Sequence, residues 1–194
     1  STEEKITLTH ETVQYINGRV PVILNIAEGA TQEAVFWAKK AEELGAAGLM
    51  ILPPMRYAAD AREVVTYFKT VANSTKLPMM IYNNPVDYKT LVTIDMFAEL
   101  TECENIQAIK ESTRDISNVT RMINRFGDRY KLLCGVDTLA LEELLMGSVG
   151  WVAGLVCAFP KETVTIFNLV QEGKIKEATE IYRWFLPLLE LDIH

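Results

Sequence analysis

The sequence has little material for a metal site or for a histidine-based catalytic triad. Its two histidines are His10 and His194, and its three cysteines, Cys103, Cys134 and Cys157, form no Cys-x-x-Cys motif. Zinc sites and Ser-His-Asp triads need such residues in close sets. We therefore predict no metal site and no cofactor. The odd number of dispersed cysteines predicts free thiols in a reducing, cytoplasmic compartment.

Long apolar runs and an excess of positive charge are also missing. No run reaches the roughly 18–20 residues that cross a bilayer, and the start of the chain lacks the charged-then-apolar pattern of a signal peptide. The 194 residues carry a net charge of −7, which would not neutralise a nucleic-acid backbone. Hydrophobic residues make up 49% of the chain, which is typical of a globular protein with a core. We expect a small-molecule partner, with no membrane and no nucleic acid involved.

Short apolar segments alternate with longer amphipathic segments along the chain. The apolar segments predict strands that are buried on both faces, as in a parallel sheet, and they cover residues 20–26, 47–52, 78–82, 106–110, 131–134 and 151–156. The amphipathic segments have helical spacing, and they cover residues 3–16, 31–44, 60–71, 93–100, 115–126, 137–146, 161–170 and 174–191. The pattern indicates an α/β protein with right-handed crossovers.

The six strand–helix repeats predict an incomplete barrel. An open doubly wound sheet is the alternative architecture, but its G-x-G-x-x-G turn follows none of the predicted strands. A (β/α)8 TIM barrel needs eight strands and about 250 residues. We therefore predict about six of its eight strands, with a partial catalytic barrel over residues 1–172 and the start of a C-terminal helical region over residues 173–194.

Two side chains at predicted strand ends are candidates for catalysis. Lys110 closes the apolar run 106–109, where partial desolvation disfavours a charged amine, and a neutral amine is the nucleophile that forms an imine with a carbonyl. Tyr82 ends the preceding strand, 28 residues earlier, where a phenol could move protons at the imine carbon. The alternatives remain open at this point: a lysine whose stem packs along the barrel, and a tyrosine that packs its ring at the rim.

Weaker candidates follow other strands. Gly135 and Asp137 belong either to a ligand-binding turn or to a strand-to-helix turn in which Asp137 caps the helix. Asn25 either orients a substrate or satisfies loop backbone. The segment after the last strand, residues 155–160, lacks the glycine-rich turn of a phosphate-binding barrel isomerase. A non-catalytic barrel that binds a small ligand is a further alternative, but such a barrel needs neither Lys110 nor Tyr82.

Four motifs resemble one known family. They are Tyr82-Asn83-Asn84-Pro85, Ile109-Lys110-Glu111-Ser112, Gly135-Val136-Asp137 and Gly150-Trp151-Val152-Ala153-Gly154. In order and spacing they resemble the dihydrodipicolinate synthase/N-acetylneuraminate lyase family of class I aldolases. The resemblance extends over essentially the whole chain.

The resemblance implies a (β/α)8 barrel with a C-terminal helical cap. It implies that Lys110 forms an imine with pyruvate or a related 2-oxo acid, that Tyr82 relays protons, and that the backbone carbonyl of Val152 faces the substrate, with Gly135 and Asp137 in the same binding region. The family's Gly-Thr-Thr-Gly-Glu loop, which holds the substrate carboxylate, is expected just upstream of Ser1. A homo-oligomer, either a dimer or a tetramer, is implied as well.

Two departures from the family pattern suggest an altered specificity. The synthases place an arginine shortly after the YN-x-P motif to bind a second carboxylate, whereas this chain has Asp87 in that stretch, and Pro54-Met55 replace a tyrosine pair. The Tyr-Asn-Asn-Pro form resembles that of the deaminases of 1-pyrroline-4-hydroxy-2-carboxylate. We therefore predict that deamination, with 4-hydroxy-tetrahydrodipicolinate synthesis or another pyruvate-dependent aldolase or dehydratase reaction as the alternative.

Overall fold

The structure is a computed structural model that describes residues 1–152 and 154–192. Helices and strands alternate along the chain in the order α1 (Thr2–Ile16), β1 (Ile23–Ile26), α2 (Thr31–Glu43), β2 (Gly48–Ile51), α3 (Ala61–Ala72), β3 (Met79–Asn83), α4 (Pro85–Tyr88), α5 (Ile94–Leu100), β4 (Ile106–Glu111), α6 (Ser117–Phe126), β5 (Lys131–Cys134), α7 (Ala140–Leu145), β6 (Gly150–Trp151), α8 (Pro160–Gln171) and α9 (Ile175–Leu189). The strands follow one another in the sheet in sequence order. This confirms the predicted α/β fold with six parallel strands of an incomplete barrel.

The chain divides into two compact units, residues 1–109 and residues 110–194. In the first unit, β1 pairs with β2 in parallel, with Ile23 opposite Gly48, and β2 pairs with β3, with Leu49 opposite Met79. The apolar stripes of α2 and α3 are buried, and their fully enclosed members include Ala34, Ala38, Ala41, Val64, Phe68 and Val71. Burial of these stripes accounts for the helical spacing read from the sequence.

The core of the second unit lies among β5, α7, α8 and α9. Its buried members are Cys134, Ala140, Leu141, Ile166, Ala178, Tyr182, Phe185 and Leu189. In this unit β5 pairs in parallel with β6, with Cys134 opposite Trp151. The strongly apolar character of residues 175–189 is explained by this packing, because α9 covers α7 and α8 with its buried face.

Three predicted strands are shorter in the structure than in the sequence pattern, although the predicted strand 47–52 loses only its first and last residues. The predicted strand 20–26 begins only at Ile23, which fits the inability of Pro21 to donate a ladder hydrogen bond. The predicted strand 151–156 is limited to β6, and residues Leu155–Cys157 form a 3₁₀ turn. A short apolar run does not by itself distinguish a strand from a buried turn.

Candidate active site

Lys110 lies one residue before the end of β4, and only 9% of its surface is exposed. The preceding strand residues Ile106 and Ile109 are completely buried. Lys110 is therefore a buried residue near the carboxyl end of a largely apolar strand. This is the position that the sequence predicted for an imine-forming lysine, and the edge at which barrel enzymes place their reactive groups.

Gly135 follows β5 and lies directly against Lys110. Its backbone N–H donates to the Glu111 carbonyl oxygen at 2.7 Å. A Cβ atom built at Gly135 would stand 2.7 Å from Lys110 Cγ, 2.0 Å from Ser112 Oγ and 2.9 Å from the Glu111 carbonyl oxygen. Any side chain at this position would displace the lysine stem or the strand that carries it. The structure thus brings together Gly135 and Lys110, two of the predicted site residues.

Asp137 is buried, with 2% of its surface exposed, and it connects three parts of the second unit. Its carboxylate accepts hydrogen bonds from the Trp151 indole nitrogen at 2.9 Å and from the Leu155 backbone N–H at 3.2 Å. Its backbone carbonyl accepts a hydrogen bond from the Tyr182 hydroxyl at 2.9 Å. The Asp137 carboxylate does not cap the following helix, as one interpretation of the sequence expected. It binds Trp151 in β6 and Leu155 after that strand.

Val152 lies between the two residues that Asp137 binds. Its backbone N–H donates to the Cys134 carbonyl oxygen at 2.8 Å, so that the backbone continues the pairing of β6 with β5. Its neighbour Ala153, like His194, lies outside the described residues. Val152 is partly buried, and its role toward a substrate stays a prediction.

Glu111 places a carboxylate immediately after Lys110, and no role beyond its place in the motif is predicted for it from the sequence. It is 1% exposed, and its two oxygens accept from the Thr113 backbone N–H and from the Asn118 side-chain amide, each at 2.8 Å. Burial raises the pKa of this carboxyl, and the two hydrogen-bond donors oppose that effect. Both carboxylate oxygens of Glu111 are therefore hydrogen-bonded, and they connect the end of β4 to the Thr113 backbone and to Asn118 on α6.

Tyr82 lies in the first unit, near the end of β3. Its hydroxyl oxygen accepts a hydrogen bond from the Asn84 side-chain amide at 3.0 Å, and its ring makes an edge contact with Tyr88, with centroids 5.6 Å apart. The adjacent Asn83 is fully buried and exchanges two hydrogen bonds with the backbone of Val92, at 3.0 and 3.1 Å. These hydrogen bonds connect the end of β3 to both ends of the loop that follows it, through Asn84 at the start and Val92 further along.

A second buried acid, Glu143 on α7, was not identified from the sequence. It is 1% exposed, and its Oε2 has no hydrogen-bond partner. Burial raises the pKa of Glu143 to about 8, and the nearby Glu111 and Glu142 carboxylates add to the rise. The carboxyl is consequently neutral at pH 7, which is how a buried acid without a cation avoids the cost of an isolated charge.

Glu143 makes the stability of the protein depend on pH in a predictable direction. The folded protein keeps the Glu143 proton up to about pH 8, whereas the unfolded chain loses it near the ordinary value of 4.5. Stability should therefore fall as pH rises between these values, by a total on the order of 3–5 kcal/mol. Glu143→Gln has no proton to lose, so urea denaturation at pH 5 and pH 8.5 should show a much flatter dependence than wild type.

The control for this measurement is Glu33→Gln, because Glu33 is an exposed glutamate on α2 and is not among the groups that raise the pKa of Glu143. Its pH dependence should follow that of the wild type. Parallel curves for Glu143→Gln and wild type would contradict the assignment of a neutral, buried Glu143.

The described part of the chain offers neither a metal-binding cluster nor a membrane-spanning helix. Within residues 1–152 and 154–192, no three histidine, cysteine, aspartate or glutamate side chains come together in a way that could bind a metal ion. No helix among those residues has the length and apolarity needed to cross a membrane. Asn25, the weaker candidate of the sequence analysis, is exposed on β1.

Comparisons with known proteins agree with this geometry. The sequence matches the dihydrodipicolinate synthetase family over residues 1–193. It is 32% identical over 200 residues to the 4-hydroxy-tetrahydrodipicolinate synthase of Aquifex aeolicus, covering 98% of this chain and 68% of that protein. It is 30% identical over 190 residues to 4-hydroxy-tetrahydrodipicolinate synthase 1 of Halalkalibacterium halodurans, covering 98% of this chain and 64% of that protein. The chain thus spans about two thirds of the length of these relatives.

Solved structures give the same result at the level of the fold. The crystal structure of dihydrodipicolinate synthase from Aquifex aeolicus superimposes with a TM-score of 0.95 at 31% identity, over 100% of this chain and 67% of that one. The 4-hydroxy-tetrahydrodipicolinate synthase of Methylacidiphilum fumariolicum gives 0.96 at 28% identity, over 100% of this chain and 65% of that one. Members of the family are class I aldolase-type lyases that use a lysine Schiff base with pyruvate. The fold, the motifs and both comparisons establish that the chain belongs to the dihydrodipicolinate synthetase family.

Proposed function

We propose that the protein is a lyase that forms a Schiff base between the Lys110 amine and the carbonyl carbon of pyruvate. The observation that carries the proposal is the position of Lys110, 9% exposed at the carboxyl end of a buried strand, in a chain that matches the family over residues 1–193. The contact with Gly135 supports it, because that contact holds the lysine stem in place.

The proposed chemistry uses the chain's own side chains. The Lys110 nitrogen attacks C2 of pyruvate, and water leaves to give the imine. A proton then leaves C3, and the resulting enamine carbon attacks the carbonyl of a second substrate. Water hydrolyses the imine that this leaves, which releases the product and frees the Lys110 amine. Tyr82 transfers protons in these steps through its hydroxyl. Neither a metal nor an organic cofactor enters this scheme.

Reductive trapping tests the proposal on the complete protein. Borohydride added with pyruvate should reduce the imine to a stable secondary amine, and peptide mapping should place the added mass on the peptide that contains Lys110 and on no other. Borohydride without pyruvate is the blank. Absence of the adduct, or an adduct spread over exposed lysines such as Lys131, would overturn the proposed function.

For the overall reaction, 4-hydroxy-tetrahydrodipicolinate synthesis is the first candidate. The curated relatives that match this chain at 27–32% identity carry that name. This synthesis, which the sequence suggested as the alternative reaction, therefore has more support than the predicted deamination. A cytoplasmic homo-oligomer, either a dimer or a tetramer, remains part of the proposal.

Deamination of 1-pyrroline-4-hydroxy-2-carboxylate is the second candidate, and Asp87 favours it. The Asp87 carboxylate accepts a hydrogen bond from Asn84 at 2.7 Å, and the same amide reaches the Tyr82 hydroxyl. A negative charge thus lies close to Tyr82, in the stretch where the synthases are expected to carry an arginine. A second substrate that bears a carboxylate would be repelled there and would lack a charge-assisted hydrogen bond.

A two-substrate assay separates the candidates. If Asp87 excludes aspartate semialdehyde, its condensation with pyruvate should be at least ~100-fold less efficient in kcat/KM than in a synthase that has the arginine. Ammonia release from the pyrroline should then be the faster reaction. Efficient condensation would show that the charge at position 87 does not set specificity, while leaving the assignment of Lys110 unaffected.

A further inference from the structure

The loop after Tyr82 contains a chain of hydrogen bonds through Asn84, which has no role in the reaction scheme proposed above. Asn84 is 4% exposed, and its side-chain nitrogen donates both to the Tyr82 hydroxyl oxygen at 3.0 Å and to Asp87 Oδ2 at 2.7 Å. Its side-chain oxygen accepts from the Asp87 backbone N–H at 3.2 Å. All of these contacts lie within one loop of the first unit. Both amide hydrogens and the amide oxygen of Asn84 therefore take part in hydrogen bonds.

Asp87 determines which way the Asn84 amide faces. It presents a donor, its backbone N–H, and an acceptor, its carboxylate, to the same side chain. Only one of the two orientations of the amide pairs with both groups. Rotation by 180° would place the amide oxygen against the carboxylate and the NH₂ group against the backbone N–H. The second amide hydrogen therefore points to Tyr82.

This orientation gives the contact with Tyr82 a fixed direction. The Tyr82 oxygen accepts from Asn84, so the phenolic hydrogen is not used in this bond. The proton can leave and return while the Asn84 contact is retained, and a donor N–H binds the ionised oxygen more strongly than the neutral one. We propose that Asn84 is a positioning residue that donates to the Tyr82 oxygen during proton transfer, and that Asp87 holds the Asn84 amide in the donating orientation. The inference rests on the proposed function, in which Tyr82 moves protons.

Exchange of the pyruvate C3 hydrogens with deuterium measures this step without a second substrate. In D₂O the imine loses a C3 proton to give the enamine and regains a deuteron, which NMR of free pyruvate detects. Asn84→Asp replaces the donor with a carboxylate that faces the Asp87 carboxylate. We expect the exchange rate to fall about 10- to 100-fold, while the KM for pyruvate changes only a few-fold and borohydride trapping at Lys110 persists.

The double variant Asn84→Asp with Asp87→Asn separates positioning from a purely structural role. The new amide at position 87 and its backbone N–H both donate to the new carboxylate at position 84, which restores the loop contacts. The direction of the bond to Tyr82 is reversed, however, since a carboxylate can only accept. Thermal stability should therefore recover in the double variant, whereas exchange should stay low. Asp95→Asn, the same chemical change at an exposed site on α5, is the control and should leave both unchanged.

The outcomes distinguish the inference from the proposed function. Absence of trapping in the wild type would defeat the proposed function itself. Intact trapping with wild-type exchange in Asn84→Asp would overturn the positioning role. Recovery of exchange together with stability in the double variant would show that Asn84 only holds the loop. Failure of the double variant to regain stability would refute the part assigned to Asp87.

Discussion

Replacing Lys110 with alanine is expected to lower kcat on the order of 10⁴-fold or more, because the variant loses the nucleophile on which every later step depends. Lys110→Arg should be equally inactive, although it keeps the positive charge, since a guanidinium is always protonated and forms no imine. Steady-state turnover and mass spectrometry after borohydride treatment measure the effect. Neither variant should gain mass with pyruvate.

The control for this pair is Lys131→Ala, which removes an exposed lysine from the start of β5. Its turnover should stay within a few-fold of the wild-type value. Circular dichroism should show that Lys110→Ala remains folded. Alanine lacks the Cγ atom that lies close to Gly135, so the substitution introduces no steric clash there. Appreciable trapping in a folded Lys110→Ala protein would mean that another amine forms the imine.

Tyr82→Phe is expected to lower kcat ~10²–10⁴-fold, the usual contribution of a general acid–base group. The substitution keeps the ring and its edge contact with Tyr88, and it removes only the hydroxyl that Asn84 contacts. Imine trapping should continue at Lys110, so the loss should appear in turnover and in deuterium exchange. The measurement is a comparison of kcat with the yield of trapped adduct.

Tyr88→Phe provides the matched control, because it removes a hydroxyl from the neighbouring ring of the same loop. Its kcat should remain within a few-fold of the wild-type value. Equal rates for Tyr82→Phe and wild type would leave Tyr82 with a packing role. A comparable loss in both variants would indicate that the loop as a whole, and not one hydroxyl, supports catalysis.

The sequence predicted the strands well where burial on both faces leaves an uninterrupted apolar run. The predicted strand 131–134 coincides with β5, and Lys110 stands near the end of β4 as expected. The final run, 151–156, was misleading because its apolar residues pack in a turn that Asp137 holds through a hydrogen bond from Leu155. A contact between residues 18 positions apart leaves no local pattern.

Side-chain networks were the least predictable part of the candidate site. Glu142 and Glu143 are adjacent acids in the sequence, yet one is exposed and the other is buried in α7, since neighbouring helical residues point in different directions. The contact between Asn84 and Asp87 was equally hidden. From the sequence, Asp87 was read only as a charge that repels a carboxylate, although its three-residue spacing from Asn84 is that of a helix cap, which could have indicated the link.

The attachment of the Val152 segment to Asp137 has a thermodynamic consequence. Trp151 and Leu155 are bound to the same buried carboxylate, and the Tyr182 hydroxyl holds the Asp137 backbone from α9. Val152 thus lies between two residues bound to Asp137, and its own backbone N–H donates to the Cys134 carbonyl oxygen. A ligand that contacts Val152 would lose little free energy to freezing that segment, because the conformational entropy was already given up in folding. Calorimetric titration of Asp137→Asn with pyruvate would then show a larger entropic penalty than titration of the wild type.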